Sequence, residues 1–318
     1  MTTLMADPRP FVHHPVLLDR VLELFDPVPA GTVVDTTLGG AGHAVALLDA
    51  REDLRILGID RDPQALAVAR ARLAPYGSRA EAHHARSDQL AAVVAASGAA
   101  SQPITGVLAD LGVSSPQFDD AERGFSYRHD AALDMRMDPT TGPSAADLVN
   151  TESEREIARV LRTNADARFA SRIARAIVAA RPVTTTGQLR DIVVGAIPAP
   201  ARRTGGHPAK RTFQALRIAV NHELDGLGPT IDAALDVLAP GGRLVVISYH
   251  SGEDRIVKER FRRADDGGCT CPPNLPCGCG AVPVARLLKR GGWVPDAAEI
   301  AANPRASSAR LRAVEKLP

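Results

Sequence analysis

An α/β fold whose parallel sheet is interrupted by an all-helical segment is the class this sequence predicts, and three observations carry that prediction. The first third alternates short apolar runs with helical runs, as successive βαβ units do. From about residue 121 to 221 the alternation stops and only helical periodicity remains. The sheet pattern then resumes at Arg243-Leu244-Val245-Val246-Ile247-Ser248. At 318 residues the chain is long enough for a large sheet domain plus an insertion. The expected division is a discontinuous domain of residues 1–120 and 222–318, with residues 121–221 inserted.

The elements follow in order. Gly31-Thr32-Val33-Val34-Asp35 reads as a strand, and Ala44 to Ala50 as the start of a helix after a Gly-rich turn. Ile56-Leu57-Gly58-Ile59-Asp60 is a second strand, followed by Asp62-Pro63 and the Ala-rich helical run Gln64 to Leu73. A weaker third strand falls near Ala80 to Ala85, a helix at Leu90 to Ala96 and a fourth strand at Ile104 to Asp110. In the insertion Ile157, Val160, Leu161, Phe169, Ile173 and Ile177 recur at helical spacing, with arginines between them. Thr212 to Leu238 reads as one or two helices that Pro240-Gly241-Gly242 ends.

Composition narrows the function. Apolar content of 45% and charged content of 24% suit a globular protein, and no apolar run approaches the ~18–20 residues that span a bilayer. The opening residues lack a basic start and a long apolar stretch, so a cytoplasmic protein without membrane association is the expectation. The near-neutral total conceals segregation. Residues 151–221 carry 13 Lys and Arg against 5 Asp and Glu, leaving 25 against 32 for the rest. A basic block beside an acidic body suggests a surface for phosphates, although arginines also coat solvated helix faces.

Two strand ends carry the cofactor signal. Asp35-Thr36-Thr37-Leu38-Gly39-Gly40-Ala41-Gly42-His43 joins the first strand to the first helix, where glycines allow close backbone approach to a ligand. Asp60 ends the second strand, where an acid can take both ribose hydroxyls. The Gly-x-Gly-x-x-Gly spacing for a pyrophosphate is absent, and an acid precedes the turn. Both features favour S-adenosylmethionine over a dinucleotide. The stretch Gly106 to Asp138 holds a third strand-end acid, Asp110, followed by a long polar segment rich in Asp, Arg and Met, which reads as an active-site wall.

Several segments resemble, in order, those of one family. They are His14-Pro-Val-Leu-Leu18, the turn Gly39 to His43, Asp110-Leu-Gly-Val-Ser-Ser-Pro-Gln117, Arg123-Gly-Phe-Ser-Tyr127 and Leu133-Asp-Met-Arg-Met-Asp138. His207-Pro-Ala-Lys-Arg-Thr-Phe-Gln-Ala-Leu-Arg-Ile218, Ile247-Ser-Tyr-His-Ser-Gly-Glu-Asp-Arg255 and Asn303-Pro-Arg305 continue the series. The chain is identified by this resemblance as a member of the bacterial MraW family of 16S rRNA cytosine-N4 methyltransferases. The resemblance implies a class I S-adenosylmethionine-dependent methyltransferase, that is, a Rossmann-like sheet with an inserted all-helical domain. It also implies a cytidine in the decoding region of the small ribosomal subunit as the acceptor. Ala41, Gly42, His43, Asp60, Asp110 and Gln117 would contact the cofactor, with Asp35, Gly40 and Ser87 around them. Ala41 stands where the family usually has Gly, Ser87 where an aromatic often flanks the adenine, Gly252 where Leu is usual and Ser307 where Arg is common.

The chemistry asks for acceptors around a weakly nucleophilic exocyclic amine. Asp110 or a neighbouring backbone carbonyl, with Ser114 or Ser115 assisting, is the expected acceptor, because the Pro-Pro-aromatic string of many amino-methyltransferases is missing at Asp110-Leu111-Gly112-Val113. His250 and Asp254, just after the fifth strand, are catalytic candidates expected to shape the base pocket, with either able to accept the proton, and Phe125, Tyr127 and Tyr249 are candidates for stacking on a flipped base. Met135 and Met137 read as a half-exposed wall, and the insertion arginines with Arg202, Arg203, Lys210 and Arg211 as phosphate contacts. Cys269-Thr-Cys271 and Cys277-Gly-Cys279 could hold a structural zinc or lie in a metal-free Pro-rich loop, and spacing alone does not choose. Two other functions stay open at this level, a methyltransferase acting on a different amine and a ribosome-assembly factor that binds the cofactor without turnover. The oligomeric state is likewise open, a homodimer included.

Overall fold

The computed structural model describes residues 15–98, 102–113, 117, 120–203, 206–272 and 278–318. Seven strands form one sheet: β1 (Gly31–Asp35), β2 (Leu54–Asp60), β3 (Ala80–His84), β4 (Ile104–Asp110), β5 (Leu238–Ser248), β6 (Ala285–Leu287) and β7 (Arg310–Lys316). Their order is β3-β2-β1-β4-β5-β7-β6. The first five strands pair in parallel, while β7 runs antiparallel to both β5 and β6. This is the class I methyltransferase arrangement. Between β1 and β4 the strand order reverses, and the crevice at such a point is where open α/β sheets take ligands.

Alternation along each strand builds two cores. Val33, Leu108, Val245 and Ile247 face one way and pack with α1 (Leu18–Phe25), α2 (Gly42–Ala50) and α3 (Pro63–Leu73). Their sequence neighbours Val34, Val107, Leu244 and Val246 face the other way, as a two-residue period requires. That second face is covered by α4 (Leu90–Ala96), α10 (Glu223–Val237) and α11 (Ser251–Asp266). Both faces are buried, which is why the strands read as continuous apolar runs.

Between β4 and α10 lie α5 (Ala145–Thr151), α6 (Glu154–Ala165), α7 (Ala170–Ala179), α8 (Thr186–Ala196) and α9 (Lys210–Asn221). Their apolar faces close on a separate cluster running from Phe125 to Val220. Among the described helices no stretch is long and apolar enough to cross a membrane.

Three expectations are corrected here. Met135 and Met137 are not a half-exposed wall: they are 0% and 6% exposed, inside the helical core. Leu133, Met135 and Met137 alternate inward while Asp134 and Arg136 turn outward and pair at 2.6 Å, so a charged-looking string hides three core side chains. Phe125 is buried in the same core rather than available to a base. Pro240-Gly241-Gly242 does not end the preceding helices. It lies inside β5, whose pairing jumps from Leu238 opposite Ile104 to Arg243 opposite Gly106. The run is two helices, as one of the two expected readings has it: His222, a left-handed residue (φ 51°), separates α9 from α10, and α10 ends at Val237. The antiparallel pair β6 and β7 was not predicted at all.

Candidate active site

Three acids meet at the carboxyl edge of the sheet. Asp35 pairs in register with Gly58 of β2 and Leu108 of β4, so Asp60 and Asp110 project two residues beyond it on either side. The β1–α2 turn is fastened to both neighbouring strand ends. Gly39 N–H donates to Asp60 Oδ2 at 2.7 Å, and Asp110 N–H donates to Thr37 Oγ1 at 2.6 Å. Thr37 N–H donates to Asp35 Oδ1 at 3.1 Å. Thr37, which the sequence reading left without a role, is thus the link that sets Asp35 against Asp110.

Burial pushes the Asp35 carboxyl up to about 7, opposed by the Thr37 N–H and assisted by the charges of Asp110 and Asp60. Burial also raises Asp60, against the N–H donors of Asp62 and Gly39. Three carboxylates held this closely are complementary to a positively charged ligand, whose arrival lowers the cost of ionising them. A cationic ligand should therefore bind with proton release. Below pH 7 Asp35 carries a proton that must leave, so affinity is expected to rise from pH 6 to a plateau above 7, by at most tenfold per unit. Calorimetric titration of S-adenosylmethionine in buffers of different ionisation enthalpy reads the proton directly. A pH-independent affinity would refute the link.

The turn itself carries strain. Ala41 sits at φ 60°, ψ 31° just before α2, a left-handed conformation that costs a Cβ-bearing residue about 1–2 kcal/mol. Gly42 follows, and a Cβ there would lie 2.6 Å from Pro15 Cγ, so this position admits only glycine. Replacing Ala41 by Gly is expected to stabilise the protein by roughly 0.5–1 kcal/mol after the entropy of the unfolded chain is subtracted. Urea unfolding of Ala41→Gly checks this, and a destabilised variant would show the strain is absent.

His43 opens α2 with its ring buried. Nε2 lies 3.0 Å from Val16 O, and Nδ1 lies 3.8 Å from Asp110 Oδ2. Burial lowers its pKa to about 4, so the ring is neutral at pH 7 and the 3.8 Å approach is not an ion pair. With the ring proton assigned to Nε2, which donates to Val16 O, the Nδ1 lone pair and the carboxylate oxygen face each other as two acceptors. Such a pair suits an N–H donor. Asp110 Oδ1 in turn accepts from the Tyr249 hydroxyl at 2.8 Å. Burial and the adjacent Asp110 raise Tyr249 well above 10, so it remains a donor.

Tyr249 is held by the turn that follows β5. Glu253 Oε2 accepts from Tyr249 N–H at 2.8 Å and from His250 N–H at 3.2 Å, while His250 Nδ1 accepts from Gly252 and Glu253 N–H. His250 is therefore the N-cap of α11, with Nε2 3.1 Å from Glu253 Oε1. Asp254 receives both Nε and Nη2 of Arg312 from β7, at 2.7 and 3.0 Å. The structure thus gives His250 and Asp254 the work of fixing this turn. Buried Glu253 was missed, yet its signal was present as an acid three residues after a capping side chain.

Gln117 is held beside the end of β2 by a buried carboxylate: its Nε2 donates to Asp62 Oδ2 at 2.7 Å. The Ser87 hydroxyl lies 3.3 Å from Thr230 Oγ1 on α10. Ser114 and Ser115 fall outside the described residues, as does Cys277.

With the geometry in place, comparison decides the family. Residues 10–317 match the MraW methylase family. The chain belongs to that family. Proteins named ribosomal RNA small subunit methyltransferase H are similar to this family member over nearly their whole lengths. The Heliobacterium modesticaldum protein is 51% identical across 96% of this chain and 99% of its own. The Symbiobacterium thermophilum protein is 53% identical across 96% and 97%, and the Thermobifida fusca protein 52% across 96% and 93%.

Proposed function

We propose that this MraW family member transfers a methyl group from S-adenosylmethionine to the exocyclic N4 of a cytidine in 16S rRNA of the small ribosomal subunit. The observation that carries the reading is the convergence of Asp35, Asp60 and Asp110 on one turn, with Asp110 braced by Tyr249. The site fits the cofactor on its own terms. Each Asp60 oxygen accepts one backbone N–H, from Asp62 and Gly39, and keeps capacity for a ribose hydroxyl. Asp35 meets the cationic amino-acid portion, Gly40, Ala41, Gly42 and His43 line the turn, Ser87 borders the adenine, and Gln117 completes the wall. When bound, S-adenosylmethionine supplies a methyl already activated on a sulfonium.

The protein's part is then placement and proton handling. Asp110 accepts from an amine hydrogen, which draws the nitrogen lone pair toward the methyl, and receives the proton as the new bond forms. Ser114 assists it. Tyr249 fixes which Asp110 oxygen is presented, and His250 and Asp254 position Tyr249 through the turn after β5. Mapping the modified nucleotide in 16S rRNA from cells with and without the gene tests the whole reading. An unmethylated decoding region in both would sink it.

The insertion, residues 121–221, serves as the RNA-recognition domain in this proposal. Tyr127 stacks on exposed His207 (centroids 4.4 Å, planes 12° apart), and Arg128, Arg190 and Lys210 line the same groove of about 660 Å³. Aromatic rings beside cations are the pattern that holds single-stranded RNA. Arg190 also pairs with Asp191 at 2.8 Å, and other insertion arginines are engaged within the protein, Arg159 with Glu156 and Arg211 with Asp166 O. Replacing Arg128 and Lys210 by Ala is expected to weaken binding to the small subunit and to lower the log K against log salt slope by about 1 to 1.5. An unchanged slope in filter-binding measurements would remove this groove from the interface.

A further inference from the structure

The thiols of the segment between α11 and β6 are placed by the fold in a way the methyl-transfer site does not use. Cys269, Cys271 and Cys279 bring their Sγ atoms within 4.8 Å of one another, and those of Cys269 and Cys279 are 3.6 Å apart. A covalent disulfide needs ~2.05 Å. Tetrahedral zinc with Zn–S near 2.3 Å sets its sulfurs ~3.8 Å apart. The observed spacing is that of ligands around one ion.

Packing does not account for the convergence. Buried cysteines normally act as small apolar side chains. Here Cys279 is exposed, Cys269 and Cys271 are only half-buried, and most described residues around them face solvent, Val282 at 71% exposure among them. At the base of the segment Cys269 N–H donates to Asp266 O at 3.1 Å and Val284 N–H to Ala264 O at 2.9 Å. Three sulfurs therefore meet at one point although none of the described residues from 267 to 284 is buried.

We infer that Cys269, Cys271 and Cys279 are ligands of a structural zinc ion that closes this loop onto the carboxyl-terminal end of α11. Soft thiolates in a tetrahedral set select zinc among the abundant divalent cations. The ion stands outside the reaction. α11 has 16 residues and so extends about 24 Å, carrying its end far from the His250 cap at the sheet's carboxyl edge. Binding deprotonates the thiols, and its free energy goes into ordering the loop.

Elemental analysis of the full chain, expressed with zinc and purified without chelators, is expected to give about one zinc per chain. Cys269→Ser with Cys279→Ser is expected to reduce it more than tenfold and leave S-adenosylmethionine affinity unchanged. Because a double variant can misfold, the wild-type protein supplies a second readout. Cobalt substitution should produce the thiolate-to-cobalt charge-transfer band with tetrahedral d–d intensity, and zinc should abolish it. A zinc-free wild-type chain that also gives no cobalt band would overturn the inference, as would zinc content that survives the double substitution. A Cys269–Cys279 disulfide found by mass spectrometry under reducing purification would do the same.

Discussion

Asp110→Asn is expected to lower kcat for methylation of small subunits by about 10²–10⁴-fold, the range lost when a positioned proton acceptor is removed. The substitution is nearly isosteric. It leaves the Asp110 N–H to Thr37 bond intact, and the amide oxygen can still accept from Tyr249 at the Oδ1 position. What changes is the other oxygen, which becomes an NH₂ group. It then points a donor at the place where the amine hydrogens need an acceptor, and it removes a negative charge from the edge that Asp35 and Asp60 share. Cofactor affinity should fall too, but only by about tenfold, because two carboxylates remain. Single-turnover kinetics on subunits from a strain lacking the methyl separate the two effects. A kcat within threefold of wild type would show that the proton leaves by another route.

How much of this was legible in the sequence varies with the physics of each feature. Parallel strands buried on both faces give unmistakable apolar runs, so β1 and β4 were read to the residue. β6 and β7 were not, because Arg310-Leu-Arg-Ala-Val-Glu-Lys316 alternates charge with apolar residues and its partner strand has only three residues. The acids Asp35, Asp60 and Asp110 could be named because each ends an apolar run. What joins them could not. Thr37 and the Tyr249 hydroxyl act through contacts between residues up to 139 positions apart, and no local pattern encodes such a distance, whereas Glu253 lies only three residues from the side chain it boxes. The Met135 and Met137 error has a different origin. Charge density in Leu133 to Asp138 suggested a surface, while burial alternates along the segment and sorts three apolar side chains inward through a left-handed turn at Met135 (φ 62°).

The largest stability effect is expected at Asp62, whose side chain is 1% exposed. Its Oδ1 caps α3 through Gln64 N–H at 2.9 Å, and its Oδ2 accepts from Gln117 Nε2 at 2.7 Å and Arg123 Nη1 at 3.1 Å. Arg123 also donates to Gln64 Oε1, Arg136 O and Met137 O, so one guanidinium binds the cofactor-side helix to the start of the insertion. Asp62→Ala removes a helix cap worth about 1 kcal/mol and strips the charge partner from a nearly buried cation. The broken pair alone costs about 3–5 kcal/mol in comparable settings, and the three acceptors left to Arg123 place the total near the lower end, about 3–4 kcal/mol. Asp62→Asn keeps an acceptor and should cost only about 1–2 kcal/mol. Adding Arg123→Met to Asp62→Ala should recover part of the loss, since the unpaired charge goes with its partner, and urea unfolding of the wild type, Asp62→Ala, Arg123→Met and the double variant closes the double-mutant cycle. Additive losses would mean that Asp62 and Arg123 act independently. A coupled loss would instead make the insertion's first residues and the Gln117 contact a single cooperative unit, so that the cofactor wall is held in place by the same carboxylate that starts α3.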